Sequence, residues 1–225
     1  MTEVIMHTYS NSIQTKILKK PFYKIGMSLL CAFSMTCQAD YKQIAEEDFW
    51  TKVYPNGGFS FYCNEAFKKK TPLLTVSHIY PTAFITKELG CRSERSCLRS
   101  NPEYETIISD MHNMVAVNSF YLFKLKDSVF GNLEDSNEAN ECGIKKRYNI
   151  VEPPDRIKGD IARIHFYIHK QYNLPLNNSF SFMKAWDKKD PPSKEEIEKN
   201  ERIKESQGND NPFISDPNLV ETLEF

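Results

Sequence analysis

The chain has 225 residues, 40% of them hydrophobic and 12% aromatic, with a formal net charge of −1. That length fits one domain with tails, and the apolar content excludes a disordered chain. No apolar run approaches the roughly 20 residues of a membrane-spanning helix, and the balanced charge excludes a chain-wide basic field for meeting a polyanion.

Lys16, Lys19, Lys20 and Lys24 lead into an apolar stretch from Ile25 to Met35. Cys37 and Ala39 place small residues just ahead of Asp40. Basic region, apolar core and small-residue site in that order predict a secretory signal peptide over residues 1–39; an uncleaved signal anchor is the alternative. The expected location is periplasmic or secreted, with no membrane attachment after cleavage. Removal takes four lysines and Glu3, so the remainder is net acidic and nucleic acid would have to be met by local basic patches. Cys31 and Cys37 leave as well. Cys63, Cys91, Cys97 and Cys142 remain, an even number in an exported chain, and predict two disulfides among three connectivities. The preferred pair is the local one, Cys91 with Cys97.

Residues 40–53 are expected to form a short amphipathic helix with Ile44, Phe49 and Val53 on one side, closed by the turn Pro55-Asn56-Gly57-Gly58. Phe59 to Cys63 alternates as a strand does. Lys68-Lys69-Lys70-Thr71-Pro72 is a basic turn. Leu74-Thr75-Val76-Ser77-His78-Ile79-Tyr80-Pro81 is then a short apolar strand stopped by proline. The two strands around the turn predict a hairpin. His78 stands at a strand end, where a side chain can meet a substrate, and imidazole accepts a proton near neutral pH. The alternative for a single such histidine is a purely structural one.

Cys91 to Asn101 is polar and carries Arg92, Arg95 and Arg99. Residues 103–114 are expected as a helix with Ile107, Ile108 and Met111 inward, and residues 120–130 are mixed and apolar. Glu134 to Glu141 is an acidic loop. Lys145-Lys146-Arg147-Tyr148-Asn149-Ile150-Val151 predicts an edge strand that Pro153-Pro154 ends. The clearest helix runs from about Asp155 to Tyr172, with Ile157, Ile161, Ile164 and Ile168 recurring at spacings of 4, 3 and 4. His165 and His169 have the i, i+4 spacing of a metal pair, with no third ligand beside them. Phe180, Phe182, Met183 and Trp186 predict a second helix. Ser193 with Glu196 forms a capping box opening a charged helix to about Ser206, Gly208 is a natural C-cap, and residues 215–225 are expected to be a flexible tail.

Three stretches taken together resemble the bacterial endonuclease I family of secreted and periplasmic nucleases. They are Ser109-Asp110-Met111-His112-Asn113-Met114; Gly159-Asp160-Ile161-Ala162-Arg163 running on to Tyr172-Asn173-Leu174; and Arg202-Ile203 with Gln207-Gly208-Asn209-Asp210-Asn211-Pro212-Phe213. Glu152-Pro153-Pro154 agrees as well. The resemblance implies an α+β, ββα-metal (His-Me finger) endonuclease I-like fold, mostly helical with short strands, over residues 40–214. It implies a monomeric hydrolase that cuts DNA, and RNA too, with little sequence preference.

The chemistry that the resemblance implies needs a base for water and a cation for the charge on phosphate, and Mg2+ (or Mn2+) takes oxygen ligands. Carried onto this chain, the general base falls on His78. The family's metal-binding glutamate falls on Ser77, which has no carboxylate. The helix positions that carry the second ligand and its neighbours fall on Tyr121, Leu122, Leu125 and Asp127, and Asn118 takes the ligand role in a register shifted by about one turn. Arg95, with Arg92 beside it, falls where the family holds the scissile phosphate. Lys69, Arg92, Arg99, Lys145 and Lys146 are the expected backbone contacts. The same departures support an alternative, a catalytically degenerate relative that binds nucleic acid or a protein partner without cleavage.

Overall fold

The computed structural model describes residues 40–125, 128–134, 138–176 and 180–223. The expected signal peptide, Asp127 and part of the acidic loop lie outside the described residues. The chain divides into two units, Met1–Cys37 and Gln38–Phe225, and the second is described here. It is mostly helical with short strands in small sheets, an α+β fold. No helix among the described residues is long and apolar enough to cross a membrane.

The organising sheet is β3 (Leu74–His78) antiparallel to β4 (Met114–Asn118), with His78 opposite Met114 and Leu74 opposite Asn118. The helix α5 (Ser119–Leu125) follows β4 directly, so strand, strand and helix make a ββα unit. The hairpin expected between Phe59–Cys63 and β3 is therefore corrected. The short β1 (Gly58–Phe59) pairs with β2 (Ala66–Phe67), and the true partner of β3 lies some 40 residues along the chain. The reason is burial on both faces of β4. Val115 and Val117 enter the main core, whereas Met114 and Ala116 pack with Phe49, Trp50 and Val53 in a second cluster. A strand alternating between two apolar faces has no polar residues to betray its period.

Between these strands the chain forms α2 (Thr82–Glu88), α3 (Glu94–Ser100) and α4 (Pro102–Ile108). Residues 111–113, expected inside a helix, make one 3-10 turn instead, because the Asp110 carboxylate accepts from the His112 N–H and caps it. At the N-terminal end, α1 (Tyr41–Gln43) continues into a wide-turned π-helical segment, Ile44–Val53, that buries Phe49, Trp50 and Val53. A second sheet orders β5 (Val129–Phe130), β7 (Ile150–Glu152) and β6 (Lys145–Arg147), with β5 parallel and β6 antiparallel to β7. The helix α6 (Lys158–Tyr172) runs through the core, and all four isoleucines of the expected face are buried. It packs on α7 (Phe180–Lys189). The charged helix α8 (Lys194–Gln207) starts at the Ser193 cap and ends at Gly208 with φ +89°, as the local signals require.

The expected flexible tail is also corrected. After α9 (Pro212–Ser215), residues Pro217–Thr222 form a 3-10 helix with Val220 buried and Leu219 and Leu223 against the main core. Apolar side chains at that spacing anchor a terminus that composition alone reads as loose.

The three stretches carrying the family resemblance are structural. Asp110 accepts from the hydroxyls of Tyr167 (2.5 Å) and Tyr172 (2.7 Å) and from the Gln207 amide (2.7 Å). Asn113 clamps the chain just past β3, accepting from the Tyr80 N–H (2.7 Å) and donating to the Tyr80 carbonyl (3.0 Å). Arg163 is fully buried and is met by Glu196, Asp187, Asp160 and the Asp190 carbonyl. Gly159 is required there, since a Cβ would lie 1.9 Å from the Asp190 carbonyl oxygen. Asn211 accepts from Phe213 N–H and donates to the Arg163 carbonyl, tying α9 to α6.

Two disulfides form, Cys91–Cys97 and Cys63–Cys142, the local pair as preferred from sequence. They close loops of very different length, with sequence separations of 6 and 79. Chain-entropy reasoning predicts that Cys63→Ser with Cys142→Ser costs about 4 kcal/mol and Cys91→Ser with Cys97→Ser about 2. Urea unfolding of the two double variants checks this; equal midpoints would contradict it.

Candidate active site

His78 ends β3, and its placement follows from what surrounds it. The strand stops because Pro81 follows and because Asn113 holds Tyr80 by both backbone groups. The ring Nε2 lies 2.7 Å from the carbonyl of Ile108, the last residue of α4, whose terminal carbonyls have no intrahelical partner. A carbonyl can only accept, so Nε2 carries the proton and Nδ1 is left as the basic nitrogen. The Tyr41 ring packs alongside, with centroids 5.8 Å apart. Burial pushes the imidazole pKa below its ordinary 6.5. The Ile108 hydrogen bond and the charges of Glu94 and Asp110 pull the other way without restoring it. The ring is thus neutral, and able to accept a proton, through the neutral pH range.

The imidazole is not sealed in the core. His78 lines a cleft of about 690 Å3 together with Ser77, Thr82 and Glu94 on one side and residues of α5 and β5 on the other. Among the cleft-lining residues Glu94 is the one carboxylate. It starts α3, where Ser93 and Ser96 form a reciprocal cap, and the Thr82 hydroxyl donates to its Oε1 at 2.6 Å. Sequence reading missed Glu94. Its signal was the Ser93-x-x-Ser96 cap, which marks a helix start without saying what that start faces.

The other sequence candidates are placed less uniformly. Asn118 does not meet His78. It pairs across from Leu74 at the other end of the ladder, roughly 13 Å along the strand, and its carboxamide oxygen accepts from the Phe120 N–H. Arg95 is exposed one residue after Glu94, and Arg92 and Arg99 are exposed nearby on the same segment. None of the three lines the cleft. Lys69 is exposed in the β2–β3 turn, at the end of β3 remote from His78. Lys146 is brought to α5, donating to the Lys124 carbonyl at 2.5 Å, and Lys145 lies 3.8 Å from Glu152.

His165 and His169 are turned to backbone. Their Nδ1 atoms lie 2.9 Å from the Ile161 carbonyl and 2.6 Å from the Leu174 carbonyl, and burial pushes His165 down to about 4. Among the described residues no group of three histidine, cysteine, aspartate or glutamate side chains is gathered to hold a metal ion. Apart from His78 itself, the polar side chains lining the cleft all carry oxygen: the Glu94 carboxylate, the hydroxyls of Ser77, Thr82, Ser119 and Ser128, and the Tyr62 phenol. That set suits a hard cation that keeps most of its water and shares substrate phosphate, as Mg2+ does. It does not suit a soft metal, since the four described cysteines are oxidised and none of them lines the cleft.

Comparison with known proteins gives the same direction as the geometry. The family model described as Endonuclease I matches residues 11–218. Endonuclease-1 of Buchnera aphidicola (subsp. Acyrthosiphon pisum) is 29% identical over 213 residues, covering 92% of this chain and 81% of that protein. A periplasmic deoxyribonuclease of Aeromonas hydrophila is 26% identical over 229 residues, covering 89% and 96% respectively. An extracellular deoxyribonuclease of the same organism is 28% identical over 227 residues, covering 87% and 97%.

Proposed function

The chain belongs to the endonuclease I family, and from that premise we propose that it hydrolyses phosphodiester bonds of DNA, and the same bond in RNA, with little sequence preference. One observation carries the proposal: an imidazole oriented by the Ile108 carbonyl, with its second nitrogen basic, on the wall of an open cleft beside a carboxylate. His78 Nδ1 takes a proton from water, whose oxygen attacks phosphorus as the ester oxygen departs and is protonated by solvent. Arg95, exposed beside Glu94 at the start of α3 but off the cleft wall, is assigned to the phosphates of the strand outside the cleft. The periplasmic and extracellular relatives support export as the setting, with residues 1–39 as the signal. The enzyme acts as a monomer.

A divalent cation bound here supplies charge neutralisation at the phosphate. Glu94 would hold it, with the Ser77 and Thr82 hydroxyls positioning its waters. Glu94→Gln keeps the size of the side chain and the contact with Thr82 while removing the charge. We expect it to weaken Mn2+ binding, followed by electron paramagnetic resonance on protein without DNA, by at least about tenfold. Unchanged Mn2+ affinity would remove Glu94 from the metal role. The enzymatic reading itself is tested by nicking of supercoiled plasmid in Mg2+ or Mn2+ by the full chain. A second reading, binding without cleavage, is favoured by Ser77 at the carboxylate position, and predicts salt-sensitive DNA binding with no nicking.

A further inference from the structure

The cleft that holds His78 is walled mainly by apolar side chains, among them Phe84, Leu122, Phe123 and Phe130. A phosphate backbone gains nothing from such a wall, whereas the flat face of a base does. The helix α5, which lines this cleft through Leu122 and Phe123, carries two of the most exposed aromatic rings among the described residues. Phe123 is 82% exposed and itself lines the cleft, and Phe120 is 55% exposed. They lie three residues apart on α5 and so share a face of that helix. Such rings cost free energy in water unless something covers them.

Charge on the same helix says what that something is. The Lys124 ammonium sits 4.1 Å from the centroid of the Phe120 ring, and Lys146, from the β6–β7 hairpin, donates to the Lys124 carbonyl. The tip of that hairpin repeats the pattern, with the Arg147 guanidinium 5.8 Å from the ring centre of Tyr148, which is 85% exposed. Aromatic faces interleaved with cations are how proteins hold single strands: bases stack on rings while the cations follow the phosphates. In a duplex the base faces are already stacked and only their edges are open. An apolar basin with protruding phenylalanines therefore has a partner in a single strand and none in an intact double helix.

We propose that Phe120 and Phe123, with Lys124 and Lys146, form a stacking platform for unpaired bases of single-stranded DNA, feeding the strand to His78. The preferred substrate is then single-stranded DNA or a locally melted duplex. This rests on the phosphodiesterase reading above but is read separately from it, by binding without turnover.

The test is fluorescence anisotropy with a labelled 20-nucleotide strand and with its duplex, in EDTA, using the full chain. Wild type should bind the single strand more tightly than the duplex. Phe120→Ala with Phe123→Ala should weaken single-strand binding by about 10- to 100-fold and leave duplex binding within about twofold, because stacking is the contact removed. Both rings are exposed, so the variant keeps its fold. Phe59→Ala, an exposed phenylalanine on β1, should change neither. Equal losses on both substrates, no loss on the single strand, or a wild type that prefers the duplex would overturn the platform. So would a more than tenfold preference for the matching RNA strand. Plasmid nicking by the same proteins separates the two readings. Nicking that persists while the single-strand preference is missing leaves the nuclease standing and removes the platform. The preference without nicking keeps the platform and removes the nuclease.

Discussion

His78→Ala is expected to lower the rate of plasmid nicking by about 10^2- to 10^4-fold, the range general-base catalysis supplies. The ring also satisfies the carbonyl at the end of α4, so the variant loses a small structural contact as well. Circular dichroism and the unfolding midpoint distinguish the two effects: catalysis should collapse while the fold survives. The pH profile of the wild type adds a check that a structural histidine would not supply. Because burial holds the folded pKa below the ordinary 6.5, the acid limb of activity should fall at a pH below 6.5. The same shift lowers stability in acid. The unfolded chain takes up its proton first as pH drops below 6.5, so this histidine's contribution is intact above that value and is lost on descending toward the folded pKa. Equal background nicking by wild type and variant would end the catalytic role and leave the binding reading.

Arg163→Met should cost about 3–5 kcal/mol of stability and, for a domain of this size, roughly 10 °C in midpoint. The guanidinium is fully buried and is hydrogen-bonded to Glu196 through two nitrogens, to Asp187, to Asp160 and to the Asp190 carbonyl. Methionine fills the volume but leaves three carboxylates facing one another without their cation. Arg163→Lys should recover little, since an ammonium has three donors and no planar fork. The deficit should shrink in mild acid. Asp160 and Asp187 already have raised pKa values, through burial first, with Glu196 adding to the shift in each, and protonation relieves the repulsion that the variant exposes. A deficit independent of pH, or a midpoint within about 1 kcal/mol of wild type, would mean that the cluster relaxes into solvent. Activity at a temperature where the variant is folded should be close to wild type, because the network braces α6, α7 and α8 and does not line the His78 cleft.

The features legible in the sequence are those encoded within a few residues. The isoleucines of α6, the Ser193 cap, the left-handed Gly208 and the Cys91–Cys97 loop each depend on neighbours one or two turns away. The ordered stretches around Asp110, Gly159 and Asn209 marked the family, and in the structure each is tied into a side-chain or backbone hydrogen-bond network. They marked the scaffold, however, and not the chemistry.

What the sequence by itself determined is the buried face of α6, the start and end of α8, the local Cys91–Cys97 pair and one histidine at the close of an apolar strand. Only the tertiary structure decided which strand pairs with it, that the Ile108 carbonyl fixes its tautomer, that Glu94 and not Asn118 shares its cleft, and that Phe123 lines that cleft with Phe120 exposed on the same helix. The physical reason is range. Periodicity and caps are local, whereas β4, α3 and α4 reach His78 only through burial that joins residues 16 to 40 positions apart, and nothing in the intervening chain encodes that pairing.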